Sequence, residues 1–222
     1  MKKPLAWSYS RMKNFETCPK QYYHVDVLKE HPFQETVETR YGNEFHKAAE
    51  KLVRDGTPMP ERFEWAEPLV QTLKDRPGEK HVELKFGLTE NLEPCDFFAS
   101  DVWLRGIVDY LAVDGDKAWI IDYKTGKNAK YADPDQLELM ALMTFAYFPE
   151  VNNISAGLLY VVADSFIRDA YTLEEWNHLW SKWFKRYAAM EAAHQNEVFN
   201  PKPSGLCRAH CPVLECPHNG RS

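Results

Sequence analysis

Residues 104–127, reading LRGIVDYLAVDGDKAWIIDYKTGK, constrain the fold more than any other stretch. Two runs rich in Val, Ile, Leu, Tyr and Trp flank Asp114-Gly115-Asp116-Lys117, and Gly115 can take the positive φ of a tight turn, so a β-hairpin is expected. With Gly115 and Asp116 as its two loop residues, Asp109 falls opposite Asp122 and Ile107 opposite Lys124. Strand side chains alternate between faces, which puts Asp109, Asp122 and Lys124 on one face; a three-residue loop would break that register.

Directly opposed carboxylates repel, with Cβ atoms about 4.5–5.5 Å apart. Each of these two closes an apolar run, Ile107-Val108 before Asp109 and Ile120-Ile121 before Asp122. A water-screened face accounts for an ordinary Asp pair. Carboxylates at the ends of apolar strands suit instead a hard divalent cation, Mg²⁺ or Mn²⁺, held with neighbouring oxygens. Lys124 beside it would favour ionisation of the attacking water and stabilise charge developing on a phosphate.

Gly106-Ile107-Val108-Asp109 followed by Ile120-Ile121-Asp122-Tyr123-Lys124-Thr125-Gly126 resembles the PD-(D/E)xK nuclease superfamily, and more closely its RecB-like branch. The resemblance implies an α/β, restriction-endonuclease-like fold with a mixed sheet flanked by helices. It further implies that Asp109 and Asp122 hold the metal together with the Tyr123 backbone carbonyl, and that Lys124 assists catalysis. GNEFHKAAE is similar to the branch's helical motif, in which a His spaced from a Gly as His46 is from Gly42 approaches the metal; His46 is the implied ligand. Glu50 lies four residues on, on the same helix face, and is either a surface partner of His46 or a further site member. The branch also has a Gln lining the DNA channel at the position of Gln136, followed four residues later by a Tyr; this sequence has Met140 there. Lys127 and Lys130 fall where substrate phosphates would lie.

Along the rest of the chain, Ser8 is a suitable cap for a helix running to about residue 24, and Thr36 begins a second whose apolar spacing ends at Gly56. A short helix is expected around residues 65–74. Residues 81–88 alternate as a strand that pairs with the hairpin, with Glu83 expected on the solvent side rather than as an outer member of the site. A helix over residues 133–148 ends at Pro149, residues 155–163 form a buried strand with 166–171 beside it, and Thr172 caps a long helix. The aromatic stripe of that helix reads as core packing, while Lys182, Lys185 and Arg186 could reach a phosphate backbone.

The last segment, GLCRAHCPVLECPHNGRS, lacks apolar periodicity but carries Cys207, Cys211 and Cys216. Three cysteines in ten residues of an intracellular protein indicate metal binding more than disulfides, and a closed site wants a fourth ligand. Cys18, within SYSRMKNFETCPKQYY, is placed to supply it. Iron–sulfur nucleases of the branch, AddB-type and CRISPR adaptation enzymes among them, join one N-terminal Cys to three C-terminal ones around a [4Fe-4S] cluster. Their common C-x2-C-x5-C spacing is C-x3-C-x4-C here, and with His210 and His218 nearby Zn²⁺ remains the alternative. Cys95 has no partner at ligand spacing and reads as structural.

The 222 residues, 44% hydrophobic, are enough for one nuclease domain spanning 1–222, with 1–24 and 200–222 as a metal-centre clamp. No apolar run reaches the roughly 20 residues of a membrane span and the start lacks a signal core, so a cytoplasmic protein is expected, in the bacterial cell or, if phage-encoded, its host. The net charge of −6 argues against indiscriminate nucleic-acid binding, yet residues 1–20 carry Lys2, Lys3, Arg11, Lys13 and Lys20 against Glu16 alone. The expected function is metal-dependent DNA hydrolysis, as an exonuclease in recombination, repair or phage DNA processing. The rival is a catalytically silent DNA-binding or assembly module, against which intact Asp109, Asp122 and Lys124 count. Lacking helicase motifs, the chain fits a free-standing enzyme or the partner of a helicase or recombination machine.

Overall fold

The computed structural model describes residues 5–32, 34–130 and 132–220. Lys2 and Lys3 of the basic N-terminal stretch lie outside them. The described residues group into two compact units, one drawn from 35–179 and the other from 5–32, 34 and 180–220.

The first unit is a six-stranded mixed sheet with helices packed on it. The strands are β1 (Glu79–Leu88), β2 (Pro94–Cys95), β3 (Leu104–Asp114), β4 (Lys117–Lys124), β5 (Asn153–Tyr160) and β6 (Ser165–Thr172), in the order β2-β1-β3-β4-β5-β6. Only β4 and β5 run parallel. The β3–β4 turn is the two-residue one expected, Gly115 at φ 58, and the pairs from Asp114–Lys117 to Tyr110–Ile121 keep the expected register. Helix α3 (Val37–Asp55) starts at a Thr36–Thr39 capping box and stops at Gly56, left-handed at φ 76. With α4 (Glu67–Lys74) it buries Phe45, Leu52, Val70 and Leu73 against Tyr110, Ala112, Ile121 and Tyr123. Helix α5 (Asp135–Tyr147) is buried from Leu137 to Phe145. Cys95 sits in the edge strand paired with Gly87, and burial, followed by the charges of Asp101 and Asp96, pushes its thiol up.

In the second unit the expected first helix is interrupted. Helix α1 (Tyr9–Thr17), capped by Ser8, ends at Cys18, whose backbone is extended at φ −162 and ψ 107; α2 (Pro19–Tyr22) restarts from the following proline. A residue before proline is disfavoured in the helical region, so the Cys-Pro pair breaks the run that the apolar spacing suggested. A π-helical turn, Tyr23–Val27, follows. Helix α6 (Trp176–Asn196), preceded by the Thr172–Glu175 capping box, contributes Trp180, Trp183, Tyr187 and Met190 to the core with Trp7, Met12, Phe15 and Tyr22. Its stripe is core, as expected. Arg186 stacks 4.0 Å over Trp183 and pairs with Glu16 at 2.6 Å. No described helix is long and apolar enough to cross a membrane.

Candidate functional site

The β3–β4 ladder ends at Tyr110–Ile121, one pair short of Asp109 and Asp122. Beyond it, side chains take over the Tyr123 backbone groups that the ladder would have used. The Tyr123 N–H donates to Asp109 Oδ2 at 2.7 Å, and the Tyr123 carbonyl lies 3.1 Å from His46 Nε2. His46 reaches this point because α3 runs close to the loop after β4: a Cβ on Gly42 would meet Thr125 Oγ1 at 3.1 Å. The Gly-to-His spacing therefore has a steric reason.

On the other side of Asp109, β1 contributes Glu83. In register Glu83 faces Asp109, yet the two form no ladder pair, and Glu83 adopts the left-handed φ of 51. Strand alternation is interrupted there. Tyr110 and Ala112 belong to the α3–α4 core, whereas at Gly106, of the same parity, a Cβ would meet Met143 of α5. The kink turns Glu83 inward, so the expectation of a solvent-side residue is corrected: His46, Glu83 and Asp109 present ligand atoms within 4.8 Å of one another. A non-Gly residue held at positive φ stores strain, which recurs at functional sites.

Asp122 is 3% exposed and faces α5. Its Oδ2 lies 2.6 Å from Lys124 Nζ, and its Oδ1 accepts from Gln136 Nε2 at 2.5 Å, while Gln136 Oε1 accepts from Lys124 Nζ at 2.9 Å. Gln136 thus braces the Asp122–Lys124 pair from the start of α5. Burial, and next the charge of Asp109, push the Asp122 carboxyl up to about 6, against the lowering effect of Lys124 and His46. Glu83 is raised for the same reasons, burial first and then Asp109. Burial opposes a charge on His46, but its hydrogen bond to Asp109 and the charges of Asp109, Asp122 and Glu83 outweigh this and raise it. Three carboxylates against one lysine leave a negative excess that a hard cation would neutralise, with His46, Glu83, Asp109 and Asp122 available to hold it.

The remaining candidates lie further out. Glu50 is engaged by Arg54 at 2.5 Å. Lys127 and Lys130 are exposed on the loop between β4 and α5. Met140, where a Tyr was expected, is buried.

In the second unit, Cys18, Cys207, Cys211 and Cys216 line one cavity. Lys202 N–H points at Cys18 Sγ (3.4 Å) and Ser204 N–H at Cys207 Sγ (3.3 Å). Asn219, buried, ties the loop by donating to the Cys211 and Val213 carbonyls at 3.0 Å each.

The sequence over residues 6–81 and 63–216 matches the model of the PD-(D/E)XK nuclease superfamily. The chain belongs to that superfamily. As a PD-(D/E)XK protein it is a phosphodiesterase of the nuclease type, and such nucleases typically use Mg²⁺ or Mn²⁺. Its fold is similar to that of a candidate exonuclease from Eubacterium rectale, at 12% identity and a TM-score of 0.50 over 95% of this chain and 89% of that one. SSO0001 also matches, at 13% identity and a TM-score of 0.49 over 99% and 89%. No curated protein matches the sequence significantly.

Proposed function

We propose that this PD-(D/E)XK nuclease is a metal-dependent deoxyribonuclease of the RecB-like branch, acting as an exonuclease in recombination, repair or phage DNA processing. The observation that carries this reading is the constellation at the open end of the hairpin: Asp122 braced against Lys124 by Gln136, beside the convergence of His46, Glu83 and Asp109. A bound Mg²⁺ or Mn²⁺ supplies Lewis acidity and lowers the pKa of water. His46, Glu83, Asp109 and Asp122 would hold that ion; the Tyr123 carbonyl, a ligand by the resemblance, meets the opposite nitrogen of the His46 ring and orients the ring instead. Lys124, a third exposed, presents its ammonium to the incoming phosphate and stabilises charge building on its oxygens. Lys127 and Lys130, on an exposed loop, fit contacts to the DNA backbone.

The four cysteines are assigned to a [4Fe-4S] cluster that holds the second unit together, zinc being the alternative. The one cavity they line and the N–H donors aimed at two of them support a shared centre. A silent binding module would not need a lysine held 2.6 Å from a buried aspartate. Incubating anaerobically purified protein with end-labelled single- and double-stranded DNA, with and without Mn²⁺, tests the proposal. Mn²⁺-dependent shortening from one end is expected. Internal cleavage would replace exonuclease by endonuclease action, and intact DNA under all conditions would favour the silent module.

A further inference from the structure

A second cluster of ligating side chains shares no residue with either site described above. His24, Glu30, His31 and Glu215 present ligand atoms that all fall within 4.8 Å of one another. We infer that these four residues form a separate binding site for a borderline divalent transition ion of the zinc type, with a structural role in the second unit.

The chain is shaped to bring them together. His24 lies in the π-helical turn Tyr23–Val27, a distortion that recurs at functional sites. The Glu30 N–H then bonds back to the His24 carbonyl at 3.0 Å, and Lys29 between them takes the left-handed φ of 57, reversing the chain so that Glu30 and His31 return to the His24 ring. Glu215 arrives from the C-terminal segment, one residue before Cys216.

The donor chemistry favours an ion over ordinary pairing. His24 Nδ1 faces two carboxylates, Glu30 Oε2 at 2.6 Å and Glu215 Oε1 at 3.3 Å, but one ring nitrogen carries at most one hydrogen to share between them. His31 Nε2 is buried and has no hydrogen-bond partner. A single ion answers both facts, since it accepts all four donors at once. Ligands about 2.0–2.1 Å from a tetrahedral ion sit about 3.3 Å apart, and two imidazole nitrogens with two carboxylate oxygens make a closed, four-donor set of the structural kind. The imidazoles select against Mg²⁺ and Ca²⁺, which prefer oxygen throughout. The His24 side chain is 17% exposed while Glu30 and Glu215 are 50% and 57% exposed, so the ion would enter from the carboxylate side and rest on the rings. Bound there, it would fix residues 24–31 to the C-terminal segment independently of the cysteines.

The test uses the full chain with its cysteine centre intact, stripped of loosely held divalent ions and titrated with zinc alone. Parent protein is compared with His31→Gln, Glu215→Gln and, as a control for the nuclease site, Asp109→Asn. We expect His31→Gln and Glu215→Gln each to lose one zinc equivalent, or to bind it at least about tenfold more weakly. They should also lose the zinc-induced rise in melting temperature seen in the parent, while Asp109→Asn, which weakens only the nuclease site, keeps the equivalent and the rise that these two variants lose. Cobalt titration should give tetrahedral bands without thiolate charge transfer in the parent, and these should vanish in the two variants. Should His31→Gln fail to fold, Glu215→Gln, on the exposed rim, decides. Equal zinc content and equal zinc-induced stabilisation in parent and Glu215→Gln would overturn the inference and leave an ion-paired surface cluster.

Discussion

His46 Nδ1 lies 3.3 Å from Asp109 Oδ1, while the opposite ring nitrogen meets the Tyr123 carbonyl at 3.1 Å. A carbonyl only accepts, so the hydrogen of that bond belongs to Nε2. In the neutral ring Nδ1 then turns a lone pair toward Asp109 and, at 3.9 Å, toward Glu83. Such an arrangement calls for a shared cation. A metal ion or a proton can fill the role, and the two compete.

That competition fixes a pH dependence. The folded-state pKa of His46 is raised, so in metal-free protein its charged form contributes stability that is complete below the unfolded value and is lost as pH climbs through the folded one. Metal-free protein should therefore lose stability as pH rises past neutrality, and His46→Gln should flatten that slope. With metal the sign reverses. As pH falls below the His46 pKa, the Mn²⁺ concentration for half-maximal cleavage should rise, by up to about tenfold per unit for one displaced proton. A metal titration of His46→Ala indistinguishable from wild type would remove His46 from the site.

The two aspartates should differ in what they do for stability. Asp122 has its carboxyl raised to about 6, so the cost of ionising it is absent below its unfolded value and present in full above about pH 6. Metal-free Asp122→Asn at pH 8 should be as stable as wild type or more so. Asp109→Ala instead strips the Tyr123 N–H of its acceptor and should cost about 1–3 kcal/mol. Urea unfolding of both variants in chelator checks the contrast; equal effects would contradict it.

Gln136 touches both Asp122 and Lys124, which makes it a positioning residue. Gln136→Ala should lower the maximal cleavage rate about 10–100-fold, the cost typical of losing a supporting hydrogen bond, with little change in Mn²⁺ requirement. Parallel metal and rate titrations separate the two. A purely substrate-contacting Gln would raise KM and leave kcat alone.

The cysteine assignment predicts about four irons and broad visible absorbance near 400 nm in anaerobically prepared protein. Substituting Cys18, Cys207, Cys211 or Cys216 should lower iron content, solubility and melting temperature together, whereas Cys95→Ser, in the edge strand, should be mild. One colourless zinc per chain would select the alternative, and four freely reactive thiols would exclude both.

Much of the sheet can be read from the sequence because one element determines its register. The Gly115-Asp116 turn permits a single pairing of β3 with β4, and the apolar runs on either side place β1 and β5 next to it. Glu83 could not be found this way. Its strand alternates normally in composition, and the left-handed kink that turns it toward Asp109 belongs to a glutamate, a residue type that gives no local sign of positive φ. The break at Cys18 was legible in its Cys-Pro pair but was masked by helical apolar spacing across it. The Arg186–Glu16 pair has no local sign because its members lie 170 positions apart in the chain. The approach of His24 to Glu215 was hidden for the same reason.

The most direct measurement is the single-turnover cleavage rate of end-labelled DNA at saturating Mn²⁺ for wild type and Asp122→Ala, with circular dichroism showing both folded. We predict metal-dependent cleavage by wild type and a loss of at least about 10²–10³-fold in the variant, the scale of removing a group that acts on transition-state charge. A variant rate near that of wild type would contradict the assignment of this site.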